Sequence, residues 1–157
     1  MSVIDTLIFD RTLADVQRVS EINNKIIIST ISSLTPEELS EYLPGMKGAY
    51  NYFDLNRIGE AIKFLANRFL TWDEIIPVTA KTNWNEKPSK SDVDAMLTDI
   101  KTLSDRVNLS YPSVPVSLDK MTYQTANTIE EILYLINQEI GNATIETNYA
   151  GMFYSGE

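Results

Sequence analysis

Five apolar residues, Leu55, Ile58, Ile62, Leu65 and Phe69, follow one another at steps of three and four, and Arg57, Glu60, Lys63 and Arg68 take the opposite positions. A helix turns once every 3.6 residues, so this spacing gathers the apolar side chains into one stripe and the charges into another. The stretch from Asn51 or Asp54 to about Phe69 is therefore a helix with one face in a core. The same period recurs at Val93, Met96, Leu97, Ile100, Leu103 and Val107, with Ser89 or Ser91 as the cap. It returns at Ala126, Ile129, Leu133, Ile136 and Ile140, in a helix that starts from Thr122 or Thr125. Apolar stripes of this kind are hidden from water by packing helix against helix.

The other segments carry weaker signals. Thr12-Leu13-Ala14-Asp15 reads as a helix start, a threonine cap with an acid three residues on. Leu13, Val16, Val19 and Ile26 would share the apolar face of that helix, and the β-branched Ile26-Ile27-Ile28 run either ends it or extends it. Thr35-Pro36-Glu37-Glu38 predicts a short helix with Leu39 and Leu43 on its apolar face and Pro44-Gly45 as its stop. Ile75-Ile76-Pro77-Val78-Thr79-Ala80 is β-branched but broken by proline, which permits an edge strand or an extended connector and forbids a central strand. Residues 81–91 read as a polar loop with Trp84 packed onto the domain, and the two prolines of residues 109–116 demand an extended chain. An echo links Asp15-Val16-Gln17-Arg18-Val19 with Asp54-Leu55-Asn56-Arg57-Ile58; an acid favoured near a helix start explains it without any duplication.

Composition removes several chemistries. A chain of 157 residues with 43% hydrophobic residues suits one domain with a real core. Thirteen Lys and Arg against twenty-two Asp and Glu leave a net charge of −9, which argues against a nucleic-acid or anionic-membrane surface. There is no cysteine and no histidine, so disulfides, thiol nucleophiles, Cys/His zinc sites and Ser-His-Asp triads are excluded. No run approaches the ~20 apolar residues that span a bilayer, and Met1-Ser2-Val3-Ile4-Asp5 lacks the basic stretch of a signal peptide. Paired carboxylates are the remaining acid–base candidates. Glu37-Glu38 and Glu130-Glu131 are expected to be solvated acids near helix starts, as are Asp92 and Asp94. The Asp-x-Asp spacing of the last two lacks the glycine and downstream Glu of a calcium loop, and Gly45 and Gly48 are isolated turn residues rather than a phosphate loop. The sequence thus predicts no catalytic residue, no metal ligand and no cofactor.

Of the eight tyrosines, which outnumber the two tryptophans, Tyr42, Tyr50, Tyr52, Tyr111, Tyr123, Tyr149 and Tyr154 lie outside the helical faces. Such side chains bury much area at little entropic cost, which suits contacts between subunits. Tyr50, Tyr52, Trp84, Tyr111, Tyr149, Phe153 and Tyr154 are the candidate contact residues. Gly141-Asn142 predicts the end of the last helix, and residues 142–157, with the strand-like alternation of Thr144-Ile145-Glu146-Thr147, read either as a frayed end with a few residues tucked onto the core or as an extended arm able to pair with a neighbouring subunit.

Several blocks, in this order along the chain, resemble small structural proteins of tailed phages and of prophages of Firmicutes. They are Phe9-Asp10-Arg11-Thr12-Leu13-Ala14-Asp15-Val16, the run from Gly48-Ala49-Tyr50-Asn51-Tyr52-Phe53 through Asp54-Leu55-Asn56-Arg57-Ile58-Gly59-Glu60-Ala61, Val78-Thr79-Ala80-Lys81-Thr82-Asn83-Trp84, Met121-Thr122-Tyr123-Gln124-Thr125-Ala126-Asn127-Thr128-Ile129-Glu130-Glu131-Ile132-Leu133, and the closing Phe153-Tyr154-Ser155-Gly156-Glu157. None is a catalytic signature. The resemblance implies a virion role at the tail, baseplate or tail fibre, with assembly beforehand in the host cytoplasm, and it implies no site residues.

The expectation is a mainly α fold: one domain over residues 1–141 with about four helices, extended connectors and room for a small β element at residues 75–80, followed by an extended tail over residues 142–157. The expected function is a non-enzymatic phage tail subunit that meets other tail proteins and copies of itself, without nucleic acid or membrane. Two rivals are a soluble adaptor that binds a host protein and a carboxylate-based hydrolase of cell-wall glycans. The hydrolase requires two acids 5–10 Å apart in a cleft, taking roughly the separations of glycosidase pairs.

Overall fold

Four helices begin where an oxygen-bearing side chain stands three residues ahead of an acid. Thr12 with Asp15, Thr35 with Glu38, Asn51 with Asp54 and Ser89 with Asp92 each form a reciprocal capping box, so both free N–H groups at the turn are satisfied. The computed structural model describes the backbone of residues 1–154 and the side chains of residues 1–144. Its helices are α1 (Leu13–Ile28), α2 (Pro36–Tyr42), α3 (Tyr52–Arg68), α4 (Lys90–Arg106) and α5 (Tyr123–Tyr154), and the described residues contain no strand. The fold is mainly α, with four long helices and one short one.

The core is the meeting of the three stripes. Leu55, Ile58, Ile62, Leu65 and Phe69 of the α3 region pack with Met96, Leu97, Ile100 and Leu103 of α4 and with Ile129, Ile132, Leu133, Ile136 and Ile140 of α5. The three helices run in one direction. Arg57 near the start of α3 binds Glu130 near the start of α5, while Arg68 at the end of α3 donates to the carbonyl of Asn137 further along α5. Likewise Arg106, closing α4, reaches Glu74 just beyond α3. Parallel neighbours need long returns: 17 helical residues span about 25 Å, which an extended chain needs about eight residues to retrace. Residues 73–89 and 107–122 supply these returns.

The first return crosses α3 closely. A Cβ on Gly59 would stand 1.9 Å from the Lys81 carbonyl oxygen, so only glycine lets the connector lie there. Asn56 receives the Trp84 N–H and donates back to its carbonyl, and the Asp99 carboxylate accepts the Thr79 N–H at 2.8 Å. These bonds hold residues 75–80 extended with no strand alongside, so the expected β element is replaced by a connector. Pro77 has no N–H to offer a ladder, while Ile76 and Ala80 are buried.

Helices α1 and α2 form a separate antiparallel arm. None of their side chains belongs to the main core, and Ile22 is their fully buried centre. Arg18 of α1 pairs with Glu41 of α2 at 3.0 Å, and Lys25 pairs with Glu38. The apolar face expected for α1 is corrected here: Leu13 is exposed and Val16, Val19 and Ile26 are only half-buried, because α1 faces the short α2 rather than the core. Leu43, expected inside, is exposed at the end of α2. The arm joins the body at Gly48, whose missing Cβ lets that loop approach the Asp15 carbonyl.

The end of the chain differs from expectation. Helix α5 passes through Gly141-Asn142 without stopping and runs to Tyr154, so the backbone of residues 142–154 is helical rather than an extended arm. Ile145, Tyr149, Met152 and Phe153 stand at i, i+4, i+7 and i+8, a helical spacing hidden in the sequence among Gly, Asn and Thr. Residues 155–157 lie outside the described residues.

Candidate functional site

Two features stand out around the start of α3: a buried cluster of four charges and, on the other side of Tyr50, a cleft. In the cluster, Glu130 of α5 has no solvent exposure and accepts four hydrogen bonds, from the Ile8 N–H at 2.7 Å, Arg11 Nη2 at 2.7 Å, and Arg57 Nε and Nη2 at 2.9 and 2.8 Å. Asp54 accepts from Arg11 Nη2 at 2.9 Å and also from Arg57, and its second oxygen caps α3 through the Asn51 N–H. Arg11 spends its other donors on the carbonyls of Lys47 and Ile8. The Arg11 backbone exchanges two bonds with the Asn127 amide at 3.0 and 2.9 Å. Two guanidinium groups thus balance two carboxylates, and the geometry answers the desolvation that burial imposes on each.

This corrects the reading of the paired acids. Glu130 sits two turns inside α5 and is an internal ion-pair partner, while its neighbour Glu131 is exposed. Glu38 is also buried, against Lys25, although Glu37 beside it is solvated. One position along a helix turns a side chain by 100°, so adjacent acids meet different surroundings.

The Tyr50 ring lies 5.6 Å from the Arg11 guanidinium, forming the wall between cluster and cleft. Its hydroxyl is buried without a hydrogen-bond partner among the described residues. Burial, reinforced by the Glu130 and Asp54 carboxylates, pushes the phenol well above its ordinary value and keeps it neutral.

The cleft measures about 720 Å³ and opens where α3, α4 and α5 all begin. Tyr50, Leu55, Val93, Leu118 and Met121 give it apolar walls, and Lys87, Lys90, Asp94 and Asp119 lie at its edge. Lys90 Nζ stands 3.4 Å from Asp94 and 4.0 Å from Asp119, whose side chains are 50% and 73% exposed.

Of the candidate contact residues, the structure brings Tyr50 and Tyr52 to this cleft. Trp84 is a half-buried residue of the first return, with Lys81 Nζ 4.7 Å from its ring, and lines a separate, smaller pocket. Tyr111 is exposed on the second return, away from both. Tyr149 and Phe153 lie on the last turns of α5 with Tyr154, and their side chains fall outside the described ones. Sequence reasoning missed Arg11 and Glu130 as partners. For Glu130 the signal was an acid four residues from Ala126, beside the apolar stripe of its helix; Arg11, ahead of the Thr12 cap, carried none.

Among the described residues no group of three or more acids is placed to hold a metal ion, and no helix is long and apolar enough to cross a membrane. The chain matches no family model, no curated protein sequence and no solved structure.

Proposed function

We propose that this protein is a non-enzymatic structural subunit of a bacteriophage tail, at the baseplate or tail-fibre end, working in several copies after assembly in the host cytoplasm. The reading starts from the resemblance of the sequence blocks to small phage tail proteins. The observation that carries it is a group of exposed apolar side chains: Leu13, Ile27, Ile28, Ile31 and Leu43, five of the fourteen large exposed ones among the described residues, lie on or beside the α1–α2 arm, outside the core that stabilises the fold. An arm built on its own small centre, with large aliphatic side chains facing water, suits contact with another protein. Mass spectrometry of purified virions tests the reading. Detection at a fixed ratio to known tail proteins supports it, and absence from virions overturns it.

One observation favours a second reading. Asp94 and Asp119 share the Lys90 ammonium at the edge of the cleft, close enough to form the acid pair that glycan hydrolysis requires. Both side chains are well exposed, unlike an acid kept protonated by apolar walls. Release of reducing ends from purified peptidoglycan, abolished by Asp94→Asn or Asp119→Asn, would establish this reading in place of the first.

A further inference from the structure

We infer that the α1–α2 arm opens as a unit of its own while the body of α3, α4 and α5 stays closed, and that the Glu38 carboxylate is the latch that holds it shut. Burial sets the two parts apart. Helix α1 buries one of its 16 residues, Ile22, and α2 buries one of its 7, Glu38, whereas α3 buries eight of 17. No residue of α1 or α2 is a member of the main core or one of the apolar side chains packed on it. Local stability follows the apolar area that a segment hides, so a segment that hides so little can open without the rest. A two-turn helix does not persist unpacked, and α2 therefore melts when it leaves α1. The base of the arm is pinned to the body: Lys47 Nζ pairs with Asp10 at 2.9 Å, and Gly48 lies against the Asp15 carbonyl. The moving part is α1 beyond its first turns, together with α2.

Glu38 joins the two helices. Its side chain is 6% exposed, and its carboxylate accepts from the Lys25 ammonium and from the Thr35 N–H at 3.1 Å, with Arg18 Nη2 3.8 Å away. Arg18 also holds Glu41 at 3.0 Å and Glu21 at 3.3 Å, whose side chains are both exposed. The charges around Glu38 are therefore Lys25, Arg18 and Glu21 of α1, with Glu41 and the solvated Glu37 of its own helix. A charge-assisted bond to a buried carboxylate is stronger than an exposed ion pair, which makes Glu38 the member that matters. The Lys25 ammonium first, and then the Thr35 N–H, hold its carboxyl below the ordinary glutamate value of 4.5. Such a group stabilises the closed arm fully above that value and progressively less as the pH falls below it. Opening brings Ile22 into water with the half-buried Val19, Ile26 and Leu39, so acid uncovers an apolar surface that the closed arm conceals.

Hydrogen exchange of the full chain, divided by the intrinsic rate of each amide, tests this. At neutral pH the amides of α2 and of the second half of α1 should exchange through an opening that leaves α3 and α4 protected. Glu38→Gln should raise exchange in the arm about tenfold, the worth of a hydrogen bond to a charged group, and leave the body unchanged. Glutamine serves equally at this position of a capping box, so α2 keeps its cap and only the charge is lost. Glu41→Gln, which removes an exposed pair, should change exchange in the arm by about threefold or less. As the pH is lowered past 4.5, exchange in the arm should rise more steeply in the wild type than in Glu38→Gln. Arm and body that exchange together in the wild type overturn the separate unit. A Glu38→Gln arm as protected as the wild type overturns the latch, as does an equal effect of Glu41→Gln. The result is independent of the tail reading, because exchange is measured on the chain alone.

Discussion

Arg11 and Glu130 are 119 positions apart in the chain and meet at 2.7 Å in the interior, their side chains 1% and 0% exposed. The contact fastens the segment before α1 to α5, and Arg57 and Asp54 complete it from α3. Helix packing and the path of the N-terminal segment are therefore coupled through one charge-balanced group.

Removing one member should cost more than an ordinary surface change. Glu130→Gln leaves Arg11 and Arg57 with one carboxylate between them, and breaking a buried pair costs about 3–5 kcal/mol. At roughly 2–4 °C per kcal/mol for a chain of this size, the melting temperature should fall by about 10 °C. Glu131→Gln, next along the helix and exposed, should stay within about 0.5 kcal/mol. Urea unfolding of both variants measures the contrast, and equal effects would refute the internal role of Glu130.

Tyr50→Phe should stabilise the protein. The buried hydroxyl has lost water without gaining a partner, and deleting it relieves a desolvation penalty of about 1 kcal/mol while keeping the ring against Arg11. The check is a rise in the urea midpoint at unchanged slope; a fall would show that the hydroxyl is bonded.

Two glycines should respond with opposite signs. Gly59→Ala drives a methyl to 1.9 Å from the Lys81 carbonyl, so the first return must shift, at a cost of about 1–3 kcal/mol or more. Gly141→Ala, inside α5 with its nearest neighbour 4.0 Å away, should gain about 0.5–1 kcal/mol from the loss of glycine's unfolded freedom. Thermal unfolding of the two variants reads both signs.

Acid should loosen the start of α4. Hydrogen bonds from Lys81 and then from the Ser89 cap hold the Asp92 carboxyl down to about 2, against an ordinary 3.8. A folded value below the unfolded one means that the stabilisation is complete above the ordinary carboxylate range and is lost as the pH falls from about 4 towards 2. Asp92→Asn should flatten that part of the stability profile. Salt should flatten it too, because the Lys81 ammonium is half exposed. Unfolding midpoints between pH 2 and 6 test this, and an unchanged profile in Asp92→Asn would count against it.

Much of the fold was legible because its causes are local. The threonine caps with an acid three residues on mark the starts of α1 and α2, those of α3 and α4 are narrowed to Asn51 or Asp54 and to Ser89 or Ser91, and the three apolar stripes are the observed core. What was missed depended on distant partners. Gly141-Asn142 is a stop signal by composition, yet α5 runs past it. Leu13 and Leu43 look like core residues until the arm is seen to stand off the body, and Glu130 looks like a solvated acid until two arginines close over it.

By itself, the sequence determined where the long helices start, which of their faces are apolar, and that thiol and histidine chemistry are absent, since each follows from residue type and spacing along a few turns. Only the tertiary structure decided that the three core helices run parallel, that their starts enclose a cleft, that Tyr50 separates the cleft from a buried charge cluster, and that the arm leaves its isoleucines in water. Those outcomes turn on which distant groups exclude water from one another. A charge or a methyl has no fixed energetic meaning until its surroundings are set.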